Sequence, residues 1–391
     1  MTKKLVILFP YIFTKFDYYK YEIDKLYKSK DFDLEVHDLS EILNKKKFNE
    51  AWKVKKKIFK NHIKFDNLYQ WTKYILKQDQ KIIIYSFLSL TNFSSFLIHL
   101  VIWKSKYIFM IQSSEDVATY KDESSFLKQI LVKKPNLNQI FFHSKRMLVI
   151  LLTNFLKFQN IINLYIYKKD KTFKSENNLD IKIVSDDVSK CLIDKNTRIK
   201  KQNIVAYLDT PSPYYEDDYM ESGKVKKIKK KDISKYYYQL KSLFLILKKK
   251  YKLKILIIPH PKNKGKINPY FKGLSYDHSV NAAQKNIKKS KLVISKGSTA
   301  IAHAIYYKKP VILIYSDILS DFRLLYDLQA QSKVTDAKII NLSNNLNLQI
   351  NNIFLINKKK YNYYRTHYMM NNFKNTVKPN YLIIENLIKK L

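Results

Sequence analysis

Residues 291–315 read Lys-Leu-Val-Ile-Ser-Lys-Gly-Ser-Thr-Ala-Ile-Ala-His-Ala-Ile-Tyr-Tyr-Lys-Lys-Pro-Val-Ile-Leu-Ile-Tyr. Two apolar runs, 292–294 and 311–314, bracket a segment of small residues and a helical pattern over 299–307. Strands that are apolar at every position are buried on both faces, as in a parallel sheet whose strands are joined through helices. Between the first strand and the helix lies Ser295-Lys296-Gly297-Ser298-Thr299-Ala300, which holds one of only 4 glycines in the chain. Glycine permits positive φ and a close approach of ligand to backbone. The first amides of the following helix are unpaired and carry the positive end of its dipole, which suits a phosphate. The Ser298 and Thr299 hydroxyls add donors. A plainer alternative is that Ser298 only caps its own helix.

The same grammar extends in both directions. Upstream, an apolar strand at 254–259 runs into Pro259-His260-Pro261. His260 lies just past the strand end, where open α/β sheets bind ligands, and the two prolines restrict its backbone. An imidazole there can donate to a phosphate oxygen. Residues 203–208 read as a strand, and 236–250 as an amphipathic helix with Leu240, Leu243, Phe244 and Leu247 on one face. In the first half, strands are expected at 5–9, 34–37, 81–85, 107–111 and 139–142, with a crossover helix at 18–29. The alternation breaks between 168 and 202, the expected hinge between a domain at 1–175 and a second at 200–345. Residues 346–391 are expected to form a C-terminal helical segment whose last helix packs back toward the first domain.

A chain of 391 residues suits two domains of roughly 150–200 residues each. A single cysteine excludes an internal disulfide, and the start lacks a signal-peptide pattern, so a cytoplasmic location is expected. No window reaches the ~18 apolar residues of a membrane span. The nearest approach, 87–111, is interrupted by polar residues from Asn92 to Lys106 and reads as a helix followed by a strand. The formal charge of +40 is carried by lysine, since only Arg146, Arg198, Arg323 and Arg365 are arginines. The lysines run along the whole chain without a nucleic-acid-binding motif, which argues against a nucleic-acid partner. Such a surface is instead drawn to an anionic membrane surface. Zinc spacing and the Walker and Gly-x-Gly-x-x-Gly patterns are missing. Asp186-Asp187 and Glu216-Asp217-Asp218 look like metal-binding acidic clusters but lie in polar stretches read as solvated loops. His303, one helical turn past Ser298-Thr299, faces either a ligand or the core.

The order Tyr207-Leu208-Asp209, the helix over 236–244, His260-Pro261, Ser298-Thr299-Ala300 and Lys309-Pro310-Val311-Ile312 resembles the C-terminal half of bacterial surface-polysaccharide biosynthesis proteins. These are similar in turn to the GT-B sialyltransferases, polysialyltransferases and capsule Kdo transferases. The resemblance covers about 203–317 and lies in order and spacing more than in identity. It implies an α/β, GT-B-like fold of two Rossmann-like domains with a cleft between them. It also implies that His260, with Pro261 as its rigid neighbour, and Ser298 with Thr299 hold the phosphate of a CMP-activated sugar. The strand ends at His260 and Ser295 are expected to be neighbours in one parallel sheet. Glu115-Asp116, after the strand at 107–111, resembles the acidic motif whose carboxylate deprotonates the acceptor hydroxyl. Val117 departs from that motif, standing where the family has glycine. Asp317 is a candidate ribose or sugar contact, with a plain turn residue as the alternative.

The expected function is transfer of a sugar from a nucleotide-sugar to a glycan or lipid-linked acceptor of a surface polysaccharide or lipooligosaccharide, without a metal or other cofactor. Two alternatives stand beside it. One is a sugar-nucleotide epimerase; the other is a non-catalytic polysaccharide-assembly protein, which Val117 keeps open.

Overall fold

A computed structural model of the chain describes residues 3–44, 57–78, 82–88, 93–104, 108–113, 144, 148, 151–152, 161–166, 179–194, 200–210, 229–260, 268–319, 322–370 and 377–391. The chain divides into two units. The first holds β1 (Lys3–Phe9), β2 (Phe32–Asp38), β3 (His62–Lys64), β4 (Ile82–Ser86), β5 (Ile108–Ser113), β6 (Ile161–Tyr165) and β7 (Leu179–Lys182). Their order across the sheet is β3-β2-β1-β4-β5-β6-β7, with every neighbouring pair parallel.

Alternation within the two central strands explains why continuous apolar runs are needed here. Leu5, Ile7 and Phe9 of β1, with Ile83 and Tyr85 of β4, belong to one core cluster, which also takes in Ile384, Leu387 and Ile388. Val6 and Leu8, with Ile82 and Ile84, belong to another, together with Trp71, Ile75, Ile98 and Ile102 from helices on that face. Each face of the sheet therefore has its own apolar cover.

The crossover helix expected at 18–29 is two helices, Lys15–Lys20 and Ile23–Leu26. Glu22 breaks it at φ 55, a left-handed backbone that a continuous helix cannot contain. The side chain of Glu22 accepts the Tyr381 N–H at 2.9 Å and so fixes the start of the C-terminal helix Asn380–Lys390. That helix is part of the first unit, whereas residues 346–379 cluster with the second. The chain leaves the first unit after Val184 and re-enters it at Asn380. The Asn380 side-chain amide spans that point, accepting the Val184 N–H at 3.0 Å and donating to the Val184 carbonyl at 2.8 Å. The stretch 168–202, where the alternation of the sequence breaks down, contains β7 and the helix Asp186–Ile193. The strand expected at 139–142 lies outside the described residues.

The second unit repeats the plan with β8 (Ile204–Leu208), β9 (Lys254–Ile258), β10 (Ser275–Tyr276), β11 (Leu292–Ser295), β12 (Val311–Tyr315) and β13 (Lys338–Asn341). The order is β10-β9-β8-β11-β12-β13, again all parallel. Val205, Tyr207, Ile255, Ile257, Ile294 and Ile312 pack against Leu240, Leu243, Phe244 and Leu247 of the helix Lys230–Tyr251. Among the described residues no helix is long and apolar enough to cross a membrane.

Candidate functional site

In both units the strand order reverses beside the first strand: between β1 and β4 in the first, and between β8 and β11 in the second. Open α/β sheets bind ligands beyond the carboxyl ends of their strands at such a switch point. In the second unit Leu208 lies in register with Ile258 of β9 on one side and with Ser295 of β11 on the other. The residues just beyond those three line one sheet edge: Pro259-His260 after β9, Asp209 after β8, and Lys296 to Thr299 after β11.

This ordering corrects the expectation that the strand ends at His260 and Ser295 are neighbours, because β8 lies between them. Two strand spacings, about 10 Å, separate the parent strands. The residue occupying that interval is Asp209, which sequence reasoning did not single out as a site residue. Its N–H donates to the Ile258 carbonyl at 2.9 Å, extending the β8–β9 ladder by one residue. It is only 4% exposed. Burial pushes its carboxyl up to about 7, against the opposing pull of the Lys296 charge. At neutral pH such a group is divided between its acid and its base form. Lys296 is itself buried, and its ammonium lies 5.3 Å from the centre of the Tyr236 ring.

Gly297 adopts φ 84. A Cβ there would meet only Leu324 Cδ1 at 3.6 Å and Leu328 Cδ2 at 3.8 Å, ordinary contact distances. The backbone conformation, not crowding, is what calls for glycine. The Ser298 N–H donates to Ser295 Oγ at 2.9 Å, and Ser298 Oγ accepts the Ala300 N–H at 3.3 Å. Ser298 thus braces the turn from within, whereas the N-cap of the helix is Ala300, without a side-chain cap bond, so the plainer reading of Ser298 as the helix cap is not what forms. Among the described residues the Gly297 and Thr299 N–H groups have no hydrogen-bond acceptor. The helix is Ile301–Tyr306, six residues, entered through the bonds Ile301 N–H to Ser298 O (3.3 Å) and Ala302 N–H to Thr299 O (3.0 Å). It is shorter than the expected 299–307, so its dipole is small and the two unbonded amides are what the turn offers an anion.

Asp317 follows β12 in an exposed turn. Both of its carboxylate oxygens accept from Asn341 Nδ2, at 3.1 and 2.9 Å, and its N–H donates to Ser343 Oγ at 3.2 Å. These bonds are those of a structural turn. His260 is partly buried at the end of β9. Glu115, Asp116, Val117, Pro261 and the cluster Glu216-Asp217-Asp218 lie outside the described residues.

Asp186-Asp187 is not a solvated loop. Both residues are buried in the first turn of the helix Asp186–Ile193. Asp187 Oδ1 lies 3.2 Å from His303 Nε2, and Cys191 Sγ lies 3.2 Å from His303 Nδ1. Burial alone would push the imidazole down, but the Asp187 carboxylate, with the Cys191 sulfur on the other ring nitrogen, outweighs it and holds His303 up at about 10. Of the two places the sequence allows it, His303 takes the core, locking its helix to Asp186–Ile193. The set has the members of a Cys-His-Asp acid–base relay, yet Cys191 is fully buried, so it serves packing here. Its carboxylate and sulfur flank opposite ring nitrogens, an arrangement that one metal ion could not share. Among the described residues no group of three or more His, Cys, Asp or Glu could hold a metal ion.

Two parallel α/β sheets with the same Rossmann-like strand order in one chain are the composition of the GT-B fold class. No protein-family model matches the chain, and no curated protein matches it. Solved structures similar to it include S. aureus MnaA with UDP, at 12% identity and TM-score 0.49, covering 100% of this chain and 96% of that one. The spinosyn rhamnosyltransferase SpnG with thymidine diphosphate is 6% identical with TM-score 0.49, covering 99% and 100%. A UDP-GlcNAc 2-epimerase of Methanocaldococcus jannaschii with UDP-GlcNAc and UDP is 12% identical with TM-score 0.44, covering 99% of each chain. Glycosyltransferases and epimerases thus stand side by side among these distant likenesses, and no residue role is carried over from them.

Proposed function

We propose that the C-terminal edge of the second sheet binds the phosphate of a nucleotide-activated sugar, and that the protein is a GT-B glycosyltransferase of a surface polysaccharide or lipooligosaccharide. The observation that supports this reading is the convergence at the β8/β11 switch point of a buried lysine, the Gly297 and Thr299 amides, which are unbonded among the described residues, and the carboxyl of Asp209. Lys296 and the amides stabilise the charge developing on the departing phosphate, and His260 serves it from the far side of Asp209. Glu115 or Asp116 takes the proton of the acceptor hydroxyl. The resemblance of the motif order favours a CMP-linked donor. The lysine coat favours a cytoplasmic protein held at an anionic membrane surface, where a lipid-linked acceptor is presented.

The test is a panel of CMP-, UDP- and GDP-sugars, with nucleotide release followed in the presence and absence of glycan acceptors. Acceptor-dependent release from one donor is the expected result. Failure of every nucleotide-sugar to bind would remove the reading altogether. Asp209 favours one second reading, a sugar-nucleotide epimerase, because a carboxyl that titrates near neutral pH beside a phosphate site can move a proton on the sugar. Inversion of the donor sugar without any acceptor, followed by NMR, would select it.

A further inference from the structure

The outward ridge of the helix Lys230–Tyr251 combines two features that a solvated lysine coat does not need. Tyr238 is 74% and Leu245 55% exposed, and they are spaced seven apart, with Lys241 and Lys249 exposed on the same side. The segment beside the helix adds Leu348 and Leu355, each 74% exposed. Helix and segment are tied along their length. Gln239 Nε2 donates to Ser343 Oγ at 3.4 Å, Lys250 Nζ to Asn351 Oδ1 at 3.2 Å, and the Tyr251 and Phe354 rings lie 5.0 Å apart. Neither 233–251 nor 341–360 contains an aspartate or glutamate. A surface that is apolar at its projecting points and basic around them, with acid only at its borders in Asp232, Asp317 and Asp336, has the chemistry of an interfacial membrane contact.

We infer that this ridge and the segment 341–360 form one docking surface for the anionic phospholipid face of a membrane, with Leu348 and Leu355 entering the headgroup layer. The inference builds on the membrane part of the reading above and is independent of the donor chemistry. Charge complementarity identifies the partner: lysines attract acidic headgroups, and leucines exposed at this level have no use for water.

The experiment is co-sedimentation of the full chain with phosphatidylcholine vesicles, alone or mixed with phosphatidylglycerol. The paired substitution Leu348→Ser and Leu355→Ser leaves the net charge untouched. It should weaken partitioning onto the mixed vesicles by roughly ten-fold, since two leucines no longer leave water. Lys28→Gln with Lys30→Gln, exposed lysines of the first unit, should weaken it far less. If the serine pair partitions like the wild type while the glutamine pair does not, the coat as a whole does the binding and the docking surface is refuted. If the wild type ignores acidic vesicles, the docking surface and the membrane reading fall together, while the nucleotide-sugar assay still stands. As an independent readout, Leu355→Cys can be labelled with an environment-sensitive dye, because Cys191 is fully buried. A blue shift on acidic vesicles is expected, and unchanged emission from vesicle-bound protein would overturn the placement.

Discussion

Asp187→Asn tests the buried pair that holds the helix behind the Gly297 turn. The carboxylate lies 3.2 Å from His303 Nε2, and both groups are almost fully buried. At an effective dielectric constant of ~20 that separation corresponds to ~5 kcal/mol of attraction before desolvation is counted. Removing one partner of a buried pair leaves the other uncompensated and costs ~3–5 kcal/mol. The sign of the pH dependence comes from the direction of the shift. His303 is held at about 10 in the folded chain against 6.5 for the free side chain. Its contribution is therefore complete below pH 6.5 and drains away as pH rises toward 10. Over that window stability should fall by up to ~1.4 kcal/mol per pH unit, the worth of one extra proton bound by the folded state. In Asp187→Asn, burial acts on the imidazole with much less opposition, so the slope should flatten and the low-pH advantage should vanish. Urea unfolding at several pH values between 6 and 9.5, paired with NMR titration of the His303 ring, reads both effects. A variant as stable as the wild type at pH 6, or with the same slope, would refute the pair as a stabilising element.

Gly297→Ala should cost on the order of 1 kcal/mol of stability, because a positive φ is strained for alanine while the Cβ itself fits. A much larger loss in urea melts would mean that crowding, not φ, selects glycine. Asp209→Asn should erase any limb near pH 7 in the pH profile of turnover, since that carboxyl is held at about 7. A limb that survives the substitution belongs to another group. Glu115→Gln or Asp116→Asn should cut turnover by ~10²–10⁴-fold with donor affinity nearly intact, the usual worth of a general base. If both variants keep full turnover, the base lies elsewhere.

Elements whose signal is local are readable without coordinates. Ile82–Ser86, apolar up to its final serine, and Val311–Tyr315, apolar throughout, read this way because each is covered on both faces. The helix Lys230–Tyr251 declares its inner face by the spacing of Leu240, Leu243, Phe244 and Leu247. Other features depend on partners distant in sequence. The break at Glu22 carries no glycine or proline to announce it, and its carboxylate is held by residue 381, far along the chain. Asp186-Asp187 looks polar in sequence because the balancing His303 comes more than a hundred residues later. Asp209 shares the signal that marks His260, a polar residue just beyond an apolar strand. Its place in the site is not legible locally, because strand order, which puts β8 between β9 and β11, is not a local property.

The pair of hydrogen bonds between the Val184 backbone and the Asn380 amide has a mechanical meaning. The described chain begins and ends in the first unit, where Lys3 Nζ donates to the Ile388 carbonyl at 2.9 Å. Residues 185–379 of the second unit run as a loop whose two stems are stitched by one side chain. Tension applied at the chain ends must run through the first unit and that stitch before it reaches the second. In single-molecule pulling, the first rupture should release the strands and terminal helix of the first unit, and the second unit should bear load only afterwards. Asn380→Ala, by cutting the stitch, should lower the force of that first event and let the two ruptures merge.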